Sequence, residues 1–374
     1  MPSAMIVRAG AERGSPDAPG GFATSDVFEK SFEAMTDRNF AGVATRVRAT
    51  AAGASNAVGY YFNDIPIWDR PAPDRGGGGP PAWTGFLRSL NATAAGKAAY
   101  VGWLQDRYGG TASGLAEVCR VYSIVPAVTT WEALLACPFG SVDDKSEAVA
   151  ADDTAFLGVI ADRIYGVTSA AVRRHDPGAL VFGDKFIQID MPQPVLASAA
   201  RHFDVLSIQP QPFSFTDSAM LQQSVKDVAA VARQLDMPVM IADQATHYQD
   251  PYHATHGEPP DRCPEQQGNP CCEDEITAGQ LYEQYLDALH ATGVVIGYAR
   301  CQYIDRRFGR AYNVTKQGLL HYDGTPRPYL TAAVSRANRK HSGGASLAKH
   351  DDEDEHAAGS RAATRPHIVS ILSE

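Results

Sequence analysis

The sequence has fewer positively charged residues than negatively charged ones. It carries 33 Lys and Arg residues against 43 Asp and Glu residues, a formal net charge of −10 at neutral pH. Without a basic surface to neutralise phosphates, neither a nucleic acid partner nor an anionic membrane partner is expected. No apolar run approaches the roughly 18 residues that a membrane span needs, and residues 1–21 contain no apolar core of a signal peptide. We therefore expect a soluble protein, whose compartment and oligomeric state the sequence does not indicate.

Cysteine is scarce, and its spacing fits no standard metal site. Three of the six cysteines, Cys263, Cys271 and Cys272, lie in one polar loop that also contains several histidines. Three interpretations stay open for this loop: an incidental cluster, a disulfide, or a zinc site of a metal-dependent hydrolase formed by residues 247–272. The sequence favours the first over the second and the second over the third, so no metal and no cofactor is predicted.

The composition of both ends differs from that of the middle. Residues 1–22 are rich in Gly, Pro and Ala, and residues 341–374 contain an acidic run at 351–355 amid Ala, Gly and Ser. Segments with so few large apolar residues cannot bury enough surface to offset the entropy of ordering, so both are predicted to be disordered. Residues 23–340 are predicted to form the folded domain.

Short β-branched runs alternate with longer amphipathic segments inside that domain, which is typical of βα units and a parallel sheet. The predicted strands cover residues 57–62, 180–183, 205–209, 239–242 and 294–300. The predicted helices cover residues 97–108, 152–171, 221–235 and 276–292.

Every predicted strand ends in polar residues that could take part in chemistry. These residues are Asn63, Asp64, Asp184, Lys185, Gln209, Asp243, Gln244, Gln302, Tyr303 and Asp305. Ligands of parallel α/β folds bind at the carboxyl ends of the strands, because the loops that follow the strands meet at that edge. The pattern therefore predicts a ligand site at one rim. The pair Asp184-Lys185 is compatible with a cleft or with an ordinary loop ion pair.

Three sequence motifs within this pattern are similar to those of a known protein family. Residues 58–68 read Val-Gly-Tyr-Tyr-Phe-Asn-Asp-Ile-Pro-Ile-Trp, residues 238–243 are a Pro-led apolar run that ends in an acid, and residues 297–305 are followed by Arg-Pro-Tyr at 327–329. In order and spacing they resemble the fourth-, seventh- and eighth-strand motifs of agarase-like glycoside hydrolases of the large (β/α)₈-barrel clan. The resemblance implies an α/β fold, a TIM-barrel-like (β/α)₈ barrel incomplete at its N-terminus, because the first three strands have no counterpart. It also implies a carbohydrate substrate.

The chain departs from the family pattern at several positions. Aligning the tryptophan of the first motif places Ile65 where the family carries its acid/base glutamate, and Asp64 where it carries asparagine. Asp243 stands in place of the seventh-strand glutamate, and Arg300 and Cys301 replace an eighth-strand aromatic pair.

Hydrolysis of a glycosidic bond needs two carboxyl groups that flank it. We predict Asp64 as the general acid and Asp243 as the opposite carboxyl group. The predicted substrate contacts are stacking by Trp68 and Tyr303, and hydrogen bonds from Gln209, Gln244, Gln302 and Asp305 to sugar hydroxyls.

A second interpretation of the same features is a catalytically inactive barrel that binds carbohydrate, or a truncated remnant. Ile65 and the missing first strands favour it, because an incomplete barrel would expose strand edges and apolar helix faces.

Overall fold

The structure is a computed structural model of the 374-residue chain. It describes residues 5–8, 26–50, 57–64, 68, 83–137, 139, 146–187, 192–211, 214–248, 250, 271–301, 303–305, 318–341 and 369–373. The chain divides into two compact units. The first unit comprises Val7–Phe186 and Asp190–Asp204, and the second comprises Met1–Ile6, Ile187–Ile189 and Val205–Glu374.

The first unit combines parallel strands with several helices. Strand β1 is Met5–Arg8, and its last two residues belong to this unit. The elements that follow it are α1 (Lys30–Ala49), β2 (Ala57–Asp64), α2 (Trp83–Ser89), α3 (Ala95–Arg107), α4 (Ala112–Val121), a 3₁₀ helix (Glu132–Ala136), α5 (Glu147–His175), β3 (Leu180–Ile187) and α6 (Gln193–His202). Strands β2 and β3 are parallel, with Gly59 opposite Leu180 and Tyr60 opposite Val181. Helix α5 packs against α1, α2 and α6.

A glycine shapes the middle of β3. Gly183 has a φ of 62°, and a Cβ atom on it would lie 1.9 Å from the Phe203 ring. A side chain at this position would therefore strain the left-handed backbone and clash with the Phe203 ring. The register between β2 and β3 shifts on both sides of the pair Tyr61–Gly183, so the pairing of the two strands is irregular where the polar end of β3 begins.

Helix α5 forms the core of the first unit. Its apolar residues Phe156, Leu157, Ile160 and Ile164 recur at helical spacing and are buried. By length and composition it could cross a membrane, but 56% of its most apolar window is buried inside the fold. Burial of this kind is typical of the core helix of a globular domain.

A buried carboxylate joins α3, α4 and α5. Asp152, in the first turns of α5, accepts hydrogen bonds from the Tyr122 hydroxyl at 2.8 Å, the Tyr108 hydroxyl at 2.9 Å and the Arg107 Nε at 2.6 Å. Tyr108 and Tyr122 are the C-cap residues of α3 and α4. Because three donors from two helix ends converge on one acceptor, Asp152 sets how those helices meet α5.

The second unit repeats the strand–helix alternation. Its elements are β4 (Leu206–Gln209), α7 (Ser218–Leu235), β5 (Val239–Gln244), α8 (Glu275–Ala291), β6 (Val295–Cys301), α9 (Pro328–His341) and β7 (Val369–Ser373). Strands β4 to β7 are parallel and pair in chain order. Asp217 and Asp274 cap α7 and α8 through backbone amides at 2.9 and 2.7 Å. Helix α8 packs against α7 and α9.

In three pairs of neighbouring helices, a histidine at the C-terminal end of one helix contacts a carboxylate on the other. The contacts are His175 Nε2 to Asp37 at 3.0 Å, His202 Nε2 to Asp162 at 2.8 Å and His341 Nε2 to Asp287 at 2.6 Å. An Arg or Lys just before each histidine contacts the same carboxylate. Cations at helix C-termini also interact favourably with the helix dipole.

The predicted strands and helices all occur in the structure. Strand β2 runs two residues beyond the predicted 57–62, and β3 runs four residues beyond the predicted 180–183. Strands β1 and β7 lie in the two segments that the composition predicts to be disordered. In β7 the apolar run Val369–Ser373 pairs with β6, and the composition of the whole segment conceals it. The domain bounds 1–22, 23–340 and 341–374 stay a prediction.

Replacing Asp152 with alanine should destabilise the protein by about 3 kcal/mol, because the buried Tyr122 hydroxyl, the half-buried Tyr108 hydroxyl and the Arg107 guanidinium all lose this acceptor. Thermal unfolding of the purified chain measures this. The control is Glu117→Ala, which breaks an exposed ion pair with Arg120 and should leave the unfolding midpoint nearly unchanged. Equal shifts for both variants would contradict the role given to Asp152.

Candidate active site

The carboxyl end of β2 carries the first predicted catalytic residue. Asp64 is the last residue of β2, and its backbone pairs with Lys185 of β3. The side chain of Asp64 lies outside the described part of the chain. Asn63, immediately before it, donates a hydrogen bond from Nδ2 to Asp184 Oδ1 at 2.7 Å. The polar ends of β2 and β3 are therefore in contact, as the sequence pattern predicted.

Asp184 is a buried carboxylate and not half of an exposed ion pair. It is 0% exposed, and its second oxygen accepts a hydrogen bond from the Tyr165 hydroxyl at 2.7 Å. Burial raises the pKa of Asp184 to about 6, and the hydrogen bonds from Tyr165 and Asn63 counteract part of this rise. The neighbouring Lys185 places its Nζ 5.1 Å from the centre of the Tyr61 ring.

Trp68 packs inside the first unit. Its side chain is 2% exposed, its ring stacks on Trp83 at 5.4 Å, and the edge of Tyr165 meets it at 5.6 Å. Both partners cover surface that a sugar ring would need for stacking. In this structure Trp68 therefore acts as a core residue at the place where a stacking platform was predicted.

The carboxyl end of β5 carries the second predicted catalytic residue. Asp243 has a φ of 56°, in the left-handed region, and the register between β5 and β6 shifts between Ile241 and Gln244. Few non-glycine residues adopt this conformation, and those that do are concentrated at functional sites and turns. The next residue, Gln244, is buried: it accepts from the Tyr298 hydroxyl and donates to the Ala245 carbonyl at 2.5 Å.

Gln209, at the end of β4, has an unusual environment. It is 8% exposed, and among the described residues its side-chain oxygen Oε1 is buried without a hydrogen-bond partner. A buried amide oxygen without a partner costs free energy, so such a group is a candidate for binding a ligand hydroxyl. Its neighbour Ile208 pairs with Ile241 of β5, two residues before Asp243.

Asp305 belongs to a buried ionic network and not to an exposed rim. Arg327 is 0% exposed and donates from Nη2 to Asp305 at 2.8 Å and to Asp250 at 2.9 Å. Its Nε donates to the Tyr248 hydroxyl at 2.8 Å, and His321 Nδ1 lies 3.5 Å from Asp250. One guanidinium therefore ties together the segments that follow β5 and β6.

The remaining predicted substrate contacts, Tyr303 and Gln302, follow β6 in the chain. Tyr303 is 45% exposed after β6, so its ring is accessible to a ligand. Gln302 lies outside the described residues.

The cysteine-rich loop is described at its C-terminal end. Cys271 is disulfide-bonded, as one of the three interpretations supposed, and Cys272 is a buried free thiol that contacts the His247 carbonyl oxygen at 2.9 Å. Burial raises the pKa of the Cys272 thiol to about 12. Within the described residues no group of three or more His, Cys, Asp or Glu side chains could hold a metal ion. Cys263 and most of the loop lie outside those residues.

The fold is similar to solved structures of agarases and β-galactosidases. An agarase, AgWH50C, matches with a TM-score of 0.65 and 17% identity over 90% of this chain and 44% of its own. An exo-β-agarase matches with a TM-score of 0.62 and 19% identity over 90% and 41%. A β-galactosidase from the Antarctic haloarchaeon Halorubrum lacusprofundi matches with a TM-score of 0.55 and 13% identity over 90% and 45%.

These likenesses confirm the predicted fold class and the predicted resemblance at the level of fold. The chain has an α/β fold with parallel strands, like part of a TIM barrel, and spans less than half the length of each of the three proteins. No family model and no curated protein matches its sequence.

The sequence gives no role to Arg327, although it lies in one of the motifs. It places Asp184 at a strand end but does not indicate that its carboxylate is buried. The carboxylates that pair with the buried Arg327, those of Asp250 and Asp305, are 77 and 22 residues away in the sequence. Sequence spacing carries no signal at such distances.

The raised pKa of Asp184 predicts a pH-dependent stability. The folded-state pKa lies above the ordinary value of 3.8. The favourable contribution of the protonated Asp184 carboxyl group to the free energy of unfolding is therefore present below about pH 4 and is lost as the pH rises through about 6. The Asp184→Asn variant lacks this titration. Its unfolding free energy, measured by urea denaturation, should therefore rise relative to wild type by about 3 kcal/mol between pH 4 and pH 7. A difference that is constant over this range would contradict the assignment.

Replacing Arg327 with methionine should leave two buried carboxylates without their cation and destabilise the fold by about 3–5 kcal/mol. Arg336→Met in α9, the helix that begins directly after Arg327, is the control, because Arg336 forms an exposed ion pair with Glu283 at 2.7 Å. That change should cost less than about 1 kcal/mol. Urea unfolding measures both, and similar losses would show that Arg327 has no special structural role.

Proposed function

We propose that the chain forms part of an agarase-like glycoside hydrolase that cleaves O-glycosidic bonds of a neutral galactan polysaccharide or its oligosaccharides. The similarity in fold to two agarases and a β-galactosidase supports this class of substrate. The net charge of −10 favours a neutral polymer over a sulfated or uronic one, because an acidic protein repels an acidic chain.

The observation that carries the proposal is the conformation of Asp243. An aspartate at the carboxyl end of a parallel strand stands where α/β folds place their reacting groups. Its left-handed backbone is a strained arrangement that the surrounding structure must maintain. Strain of this kind at a strand end suggests a function for the side chain that a loop aspartate would not need.

Asp243 is assigned as the nucleophile or base and Asp64 as the general acid. Both residues lie at the carboxyl ends of parallel strands, β5 and β2. A glycosidase requires two carboxyl groups, one to protonate the leaving oxygen and one to attack the sugar or activate water. The assignment of Asp64 rests on its position at the end of β2 and on the motif that surrounds it.

The predicted substrate contacts divide into two groups. Gln209 is assigned to a sugar hydroxyl because its buried Oε1 has no partner among the described residues, and Tyr303 to a sugar ring because its side chain is accessible. Gln244 and Asp305 are assigned to supporting the strand ends, since both are occupied by internal hydrogen bonds. Gln302 stays a proposed contact on its sequence position alone.

The central test is the Asp243→Asn variant of the full chain. Release of reducing sugar from agaro-oligosaccharides should fall roughly 10²- to 10⁴-fold, because the amide cannot act as a base. Asp236→Asn is the matched control: Asp236 also has a left-handed backbone, with a φ of 51°, but it is the exposed C-cap of α7. That variant should keep wild-type turnover.

Retained turnover in Asp243→Asn would remove this residue from the reaction. Binding of oligosaccharides by the wild-type chain without sugar release would favour the alternative of an inactive carbohydrate-binding barrel.

A further inference from the structure

The ends of β2 and β3 are joined at an irregular point of the sheet. In register, Tyr61 lies opposite Gly183 and Asp64 lies opposite Lys185. Two residues of β2, at positions 62 and 63, therefore face a single residue of β3, Asp184. This is the arrangement of a β-bulge, in which the backbone ladder is locally disrupted.

The side chain of Asp184 spans this disrupted stretch. One of its oxygens accepts from Asn63 Nδ2 at 2.7 Å, and the other accepts from the Tyr165 hydroxyl of α5, also at 2.7 Å. A carboxylate can only accept hydrogen bonds, so both partners must donate. The orientation of the Asn63 amide is thereby set by Asp184, and the end of β2 is attached to both β3 and α5.

Asp184 does not contact a ligand in this arrangement, because its side chain has no exposed surface. Its influence on the candidate site passes through Asn63 to the next residue, Asp64. The cross-strand contacts are consecutive: the side chains of Asn63 and Asp184 are bonded, and the backbones of Asp64 and Lys185 are paired. A substitution of Asp184 that moves Asn63 therefore acts on Asp64 directly, because Asp64 is the next residue in the chain.

We propose that Asp184 is a positioning residue that holds Asn63 across the bulge and so fixes the end of β2 that carries Asp64. Its role in the reaction rests on the proposed function, in which Asp64 is the general acid. Its role in fixing the strand end does not depend on that assignment.

Protonation of Asp184 changes this link. A protonated carboxyl group has become a donor on one oxygen and can no longer accept equally from both partners. The groups that act on the carboxyl are Tyr165, Asn63 and Trp68. Burial raises the pKa of Tyr165 well above its ordinary value, so its hydroxyl stays neutral and Asp184 is the group that titrates near pH 6.

The experiment compares Asp184→Asn with Asp176→Asn in the full chain. The control is matched, because Asp176 also accepts from a tyrosine hydroxyl, that of Tyr60 at 2.7 Å, but it lies just before β3, at the opposite end of the strand. Hydrogen exchange of peptides that resolve the last residues of β2 reports the strand end. The pH profile of kcat/KM on agaro-oligosaccharides reports the reaction.

Asp184→Asn should speed hydrogen exchange at the end of β2 and lower kcat roughly 10²-fold with little change in KM, because small misplacement of a reacting group is costly. Its kcat/KM profile should lose the inflection near pH 6. Asp176→Asn should change neither the exchange at residues 62–64 nor the pH profile.

Tyr165→Phe provides a second variant that removes a single hydroxyl. The hydrogen bond from Tyr165 lowers the pKa of Asp184, so its loss should move the inflection of the kcat/KM profile to higher pH. This variant decides the question if Asp184→Asn does not fold.

Unchanged exchange at the end of β2 in Asp184→Asn, or an inflection that Tyr165→Phe does not move, would overturn the proposal. If the wild-type chain releases no sugar, hydrogen exchange alone decides. Faster exchange would then support the strand-end role while the proposed function fails, and unchanged exchange would overturn both.

Discussion

A carboxylate that is buried on folding loses its hydrogen bonds to water and needs fixed donors within the protein. This requirement determines how neighbouring elements within each unit are joined. Asp152, Asp184 and Asp305 are each buried, and each accepts from donors on other elements. The donors are tyrosine hydroxyls, an asparagine amide and guanidinium groups with few alternative geometries. Because an unpaired buried charge costs far more than a surface ion pair contributes, these contacts constrain the helices and strand ends around them.

These buried carboxylates lie at two kinds of position in the fold. Asp152 lies near the start of α5 and organises the helices inserted between β2 and β3. Asp184 and Asp305 lie near the carboxyl ends of parallel strands, where the proposed chemistry requires accurate placement of other side chains. At those ends the buried acids hold neighbouring segments together, and the acid proposed to react, Asp243, has a left-handed backbone within an irregular stretch of the β5–β6 pairing.

The fold is similar to agarases and β-galactosidases at 13–19% sequence identity. Similarity at this level is possible because βα units need apolar residues at the right period and not particular side chains. A chemical activity is more demanding, since it requires particular groups at particular places. The motifs around Asp64 and Asp243 are therefore more informative about function than the likeness of the whole chain.

By itself, the sequence determined the alternation of strands and helices and which acids end the strands. The run at residues 239–242 predicted β5, because apolar β-branched residues bounded by proline and polar groups have few other solutions. Tertiary structure alone decided which of those polar residues are buried. Asn63 and Asp184 are 121 residues apart, and Asp250 and Arg327 are 77 apart. Burial and pairing at such separations arise from packing between distant segments, which local composition and periodicity do not encode.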